Sequence, residues 1–216
     1  TGYAYDLAFS PDGRYMLTGS MDGMARLWDV SSERVIRTFA HTYPVKNVAF
    51  SPDGRYILTG SDTARLWDVN SGQIVRIFTG KVGIICLAFS PDGRYILIGS
   101  SYTEGQDIGY LWDIQTGETR TFSGVFDGKS SLAFSPDGRY MAVTNWSDGL
   151  WLMDVNSGQL VRAIRVNVSN LGFSPDGRYI LIGNRDSAAY LWDIKAGQLG
   201  NDIEIQLPKL PRARDN

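Results

Sequence analysis

The chain has 216 residues, 43% of them hydrophobic and 20% charged, enough to bury a core without disulfides or metal. Its 21 Lys and Arg against 23 Asp and Glu leave a net charge of −2, which excludes a strongly basic nucleic-acid binder and an acidic disordered tail. One cysteine (Cys86) and one histidine (His41) exclude an internal disulfide and a His/Cys zinc site, and no apolar run approaches the ~20 residues of a membrane span.

The chain starts Thr1-Gly2-Tyr3, with neither a Met nor a signal-peptide pattern. The expectation is part of a longer chain, or a processed one, located in the cytoplasm. Without a signal sequence, the glycosylation patterns Asn145-Trp146-Ser147 and Asn167-Val168-Ser169 are discounted.

One unit recurs along the sequence. Phe-Ser-Pro-Asp-Gly-Arg-Tyr occurs five times, beginning at Phe9, Phe50, Phe89, Phe134 and Phe173, at intervals of 41, 39, 45 and 39. Leu-Trp-Asp follows in four copies, ending at Asp29, Asp68, Asp113 and Asp193, and the fourth copy reads Leu152-Met153-Asp154. In the second copy, Val45 to Phe50 predicts strand a. Ser51-Pro52-Asp53-Gly54 is a turn, because Pro sets φ and Gly supplies the positive-φ position. Arg55 to Thr59 is strand b, Ala64 to Val69 strand c, Asn70-Ser71-Gly72 a second turn and Gln73 to Phe78 strand d. The connections are too short for parallel crossovers, so each unit is a four-stranded antiparallel meander.

One such sheet cannot cover both of its faces, but five stacked radially can. The expected fold is therefore all-β, a propeller of five four-stranded antiparallel blades. The approximate blade spans are 1–40, 41–80, 81–124, 125–165 and 166–207. The remaining 208–216 is a Pro-rich basic tail or linker. Whether five blades close a ring or belong to a larger one stays open at this point.

The motifs resemble those of the WD-repeat β-propeller family from Tyr3 to Leu207. They also resemble the highly repetitive propellers of large bacterial signalling or defence proteins. The resemblance implies a packed ring that serves as a protein-interaction scaffold or a sensor and regulatory module, without catalysis. It implies no cofactor and no catalytic or metal-binding residues. It also implies a structural hydrogen-bond network in the blades, best matched by His41, Thr59, Asp62 and Trp67 in the second copy. The other copies keep parts of it: Thr18, Asp22 and Trp28; Asp107 and Trp112, with Lys81 near the His position; Asp148, with Met153 for Trp; Asp186 and Trp192. Most family members have seven blades and close with a sheet built from both termini, whereas five plain a-b-c-d units stand here.

Alternating strand directions put the a–b and c–d turns at one end and the b–c and d–a connections at the other. From each motif Phe to the following motif Asp the distances are 20, 18, 24, 20 and 20, so length variation concentrates in the b–c connection. Variable loops on a rigid frame are where binding residues ride. The candidate partner-binding set is Met21, Tyr43, Tyr102, Glu104, Phe126, Trp146 and Arg185, with Tyr102, Trp146 and Phe126 as anchors and Glu104 and Arg185 as rim charges. The expected partner is a protein or peptide, with no nucleic acid and no membrane, and a homo-oligomer forms if the ring does not close alone.

Other repeated residues read as structure. Arg14, Arg55, Arg94, Arg139 and Arg178 are expected to be solvated or paired with the neighbouring Asp12, Asp53, Asp92, Asp137 and Asp176. Trp28, Trp67, Trp112 and Trp192 are expected in the core, Trp151 covering space left by Met153, and Cys86 buried and inert. The rival function is a propeller hydrolase acting on glycans through carboxylates in a central funnel.

Overall fold

The computed structural model describes residues 2–78, 83–100, 108–124, 126, 130–145, 149–166, 168, 170–183, 188–195 and 205–206. Among them every regular element is a strand. The first sheet holds β1 (Ala4–Phe9), β2 (Tyr15–Ser20), β3 (Met24–Asp29) and β4 (Arg34–Ala40). The second holds β5 (Asn47–Phe50), β6 (Tyr56–Gly60), β7 (Ala64–Asp68) and β8 (Ile74–Phe78). The third holds β9 (Ile84–Phe89), β10 (Tyr95–Ser100), β11 (Ile108–Asp113) and β12 (Thr119–Ser123). The fourth holds β13 (Leu132–Phe134), β14 (Tyr140–Asn145), β15 (Gly149–Asp154) and β16 (Leu160–Ile164). The fifth holds β17 (Asn170–Phe173), β18 (Tyr179–Gly183), β19 (Ala188–Asp193) and β20 (Ile205–Gln206). Within each sheet, neighbours in sequence pair antiparallel. These are the five blades of a β-propeller.

The a–b turn builds itself from local bonds. The Ser10 hydroxyl donates to Asp12 Oδ1 (2.6 Å) and accepts from the Tyr15 N–H (2.8 Å), while the same Asp12 oxygen accepts the Arg14 N–H (3.0 Å). Gly13 turns the chain at φ 70°, a conformation that costs glycine nothing. The pattern repeats at Ser51/Asp53, Ser90/Asp92, Ser135/Asp137 and Ser174/Asp176. The Asp side chains are thus used inside the turn. Each Arg reaches instead to the Asp that ends strand c: Arg94 to Asp113 at 2.8 Å, Arg178 to Asp193 at 3.0 Å, and Arg14, Arg55 and Arg139 to Asp29, Asp68 and Asp154 at 3.8–3.9 Å. This corrects the expected pairing with the adjacent Asp.

Four apolar clusters lie at four blade junctions. At the first, Leu17, Ala25, Leu27 and Phe39 on the back of blade 1 meet Val45, Val48, Ile57 and Trp67 on the front of blade 2. The same face-to-face pairing recurs between blades 2 and 3, 3 and 4, and 4 and 5. Trp151 packs on the cluster that contains Met153, in keeping with its space-filling role. On the outer side, Arg37 of β4 donates to the Asn70 and Ser71 carbonyls in the c–d turn of blade 2 (2.9 Å each).

The two outer faces of the stack differ from the junctions. Leu7 and Phe9 on the front of blade 1 are 60% and 58% exposed, and Leu181 on the back of blade 5 is 46% exposed. The matching Leu17, Leu58, Leu97 and Ala142 are fully buried. Of the four Trp residues expected in the core, Trp67 and Trp192 are buried and two are only half-buried: Trp28, since no described residue packs a blade against its face, and Trp112, which borders a space left between blades 2 and 3.

The first strands of the blades line a channel-like cavity of about 460 Å³, with Asp6, Asn47, Cys86, Ser131 and Asn170 among its lining. These five stand at matching register positions, three residues before each motif Phe. Asp6 Oδ2 accepts the Val48 N–H (2.8 Å), and the Ser131 hydroxyl donates to Asn170 Oδ1 (3.0 Å), so neighbouring blades are tied at the axis.

Candidate partner-binding end

The b–c turn of blade 1, the connection from blade 1 to blade 2 and the b–c turn of blade 2 form one bonded frame. The His41 N–H donates to the Gly23 carbonyl (2.8 Å) and the Val45 N–H to the Ser20 carbonyl (3.0 Å). The Ser61 hydroxyl donates to the Tyr43 carbonyl (2.8 Å), and Arg65 Nη1 to the Ala40 carbonyl (2.9 Å). Gly23 sits at φ 79°, and a Cβ there would meet the His41 carbonyl at 2.9 Å. Glycine is therefore required for the two segments to approach this closely. Met21 and Tyr43 project from this frame, 52% and 59% exposed. Beside them the Asp22 carboxylate is gripped by Arg26 (2.7 Å), which holds its pKa down to about 2.

The hydrogen-bond network of blade 2 adjoins this frame at His41. The Trp67 indole N–H donates to Thr59 Oγ1 (2.8 Å), and Thr59 Oγ1 is 2.7 Å from His41 Nε2. Asp62 Oδ1 stands 3.9 Å from His41 Nδ1, too long for a hydrogen bond, and neither atom has another partner. A proton on Nδ1 faces Asp62 and leaves Nε2 to accept the Thr59 hydroxyl. Burial, with Arg65 nearby, depresses the His41 pKa to about 4, so the imidazole is neutral and serves the fold.

Of the other candidates, Tyr102, Glu104, Trp146 and Arg185 lie outside the described residues. Phe126 requires a correction. It is only 4% exposed and packs in the junction between blades 3 and 4. Its ring lies against Gly109 and Gly99, leaving no room for a Cβ at either. It is a core residue and offers no surface to a partner. The signal for this was in the sequence: Gly109 stands where β3, β7 and β19 carry Ala25, Ala64 and Ala189.

Sequence reasoning passed over Asp6. It is the one carboxylate among the described residues lining the channel. Burial raises its pKa despite the backbone N–H bonds from Val48 and Leu7.

The pattern of the WD domain, G-beta repeat, matches residues 1–29, 33–68, 72–103 and 158–193. These segments cover more than half of the chain, which belongs to the WD40 repeat family. Strands β13 to β15 of blade 4, where Met153 replaces the repeated Trp, fall between the matches yet join β16 in the same four-stranded sheet. No curated protein matches the chain. WD40 repeats generally act as scaffolds for protein–protein interaction and are typically non-catalytic.

Proposed function

We propose that this chain is a non-catalytic scaffold or sensor module that binds a protein or peptide at the end carrying the b–c and d–a connections. The observation that carries this reading is the contrast between the two ends. At one end five identical turns consume their polar groups in internal bonds. At the other, Met21 and Tyr43 stand exposed on a frame fixed by backbone bonds, the residue types that anchor interfaces. The repeat pattern of the sequence assigns Tyr102 and Trp146, with Glu104 and Arg185, to the same proposed surface.

The glycan-hydrolase reading needs two carboxylates about 5–10 Å apart. The described channel lining offers only Asp6 beside Asn47, Asn170, Ser130 and Ser131, which favours the scaffold reading. The test is a displayed-peptide selection against the chain. Selected peptides are expected to lose about 10-fold or more in affinity for a Met21→Ala/Tyr43→Ala/Tyr102→Ala/Trp146→Ala variant. Unchanged affinity with an intact fold refutes the proposal.

A second reading is supported by the exposed Leu7, Phe9 and Leu181. The front of blade 1 and the back of blade 5 are the two halves of the junction that occurs four times inside the molecule. A second copy of this chain can pair them head to tail.

A further inference from the structure

At the junction of blades 1 and 2, three rings meet. Phe39 and Trp67 lie 5.1 Å apart between centroids, and the His41 ring stands edge-on to Trp67 at 6.0 Å. The next junction repeats two of them, with Phe78 and Trp112 at 5.0 Å. The third ring has no counterpart in the sequence: 39 residues after His41 stands Gly80, outside the described residues, and 39 residues after Thr59 stands Ile98. Where His41 sits in the first junction, the second has a cavity of about 320 Å³. Phe78, Ile84, Ile98, Tyr110 and Trp112 line it. They correspond in blade position to Phe39, Val45, Thr59, Arg65 and Trp67, the residues around His41.

The chemistry of the site has also changed. At the first junction a hydroxyl and a guanidinium face the polar imidazole. Here an Ile side chain and a Tyr ring replace them, so the polar anchors are lost while the space remains. Arg76, whose register equivalent Arg37 clasps the c–d turn of the next blade, lies over the Trp112 ring at 4.5 Å. Exposed Ile77 and Thr119 border the mouth on the outer strands β8 and β12, and Ser100, at the end of β10 where the longest b–c connection begins, carries the lining to the variable end.

We propose that this cavity is a socket for an uncharged phenyl-type ring, supplied by an aromatic side chain of a peptide bound at the variable end. The site is large enough for such a ligand, and the neighbouring junction shows that the architecture seats a ring at this place, edge-on to the blade's Trp. The peptide source rests on the function proposed above, whereas the socket itself does not, because a free ring tests it without any partner.

The experiment is a titration of fluorobenzene into the full chain, read by fluorine NMR. Saturable binding with a Kd of about 1 mM or tighter is expected, within reach of so small a ligand. The Ile98→Trp variant fills the cavity from its own wall and is expected to weaken binding at least about 10-fold. Should that variant not fold, Thr119→Trp, a surface change that closes the mouth, carries the same comparison. Peptides selected at the variable end are expected to displace fluorobenzene, and to stop doing so when their aromatic residue is replaced by Ala. Absence of saturable binding to the wild-type chain, or equal binding by the filled variant, overturns the socket. Displacement failing while fluorobenzene still binds overturns the peptide as its source.

Discussion

At Glu33 the backbone turns at φ 56°, a left-handed conformation that the matching c–d turns assign to Gly72, Gly117 and Gly158. A side chain in this region costs about 1–2 kcal/mol, partly offset by the smaller entropy that a non-glycine residue loses on folding. Glu33→Gly is expected to stabilise the chain by up to about 1 kcal/mol, a rise of roughly 2–4 °C in Tm. An unchanged or lower melting temperature contradicts the strain. His41 gives a second residue-level prediction. Its folded pKa of about 4 lies below the ordinary 6.5, so between these values the unfolded chain binds a proton that the folded chain refuses. Stability is present above pH 6.5 and lost as pH falls toward 4, by at most about 3 kcal/mol. Urea denaturation of His41→Gln is expected to show a flatter pH dependence across this window. A slope equal to that of the wild type would place the imidazole in water.

Element by element, the sequence was most legible where the interactions are local. The Ser-Pro-Asp-Gly turn closes on itself within six residues, Ser10 to Tyr15, so its motif specifies the hairpin wherever it occurs. Strand boundaries moved by a residue or two: β5 begins at Asn47 rather than Val45, because the Val45 and Lys46 N–H groups bond to Ser20 and Gly60 outside the ladder. What could not be read directly depends on a neighbouring blade. Phe126 looked like a loop anchor, and its burial is set by the missing side chain of Gly109 one blade earlier. Trp28 carries the core motif, but its blade face has no described neighbour and it stays half-buried. The cavity beside Trp112 is lined by Ile98 of β10 and Phe78 of β8, residues of two neighbouring blades, and Ile98 stands where blade 2 carries Thr59. The open faces of the first and last blades lead to a test at this scale. Light scattering is expected to show molar mass rising with concentration, and Leu7→Asp/Phe9→Asp is expected to abolish the rise. A concentration-independent monomer removes the head-to-tail reading.

For the molecule as a whole, repetition and its failures divide the labour. The five copies supply one junction design, used four times, and one self-contained turn that makes an end of the propeller uniform. Family membership accounts for this frame and for its general scaffold role. The opposite end is where the repeats diverge in length and side chain, and there the proposed partner binds. Hydroxyl-radical footprinting of the chain with a selected peptide measures this directly. Protection is predicted at Met21, Tyr43, Tyr102 and Trp146, with the turn-end residues Tyr15, Tyr56 and Tyr179 unchanged. Protection confined to Tyr15, Tyr56 and Tyr179, or to Leu7 and Phe9 on the open face, would contradict the account.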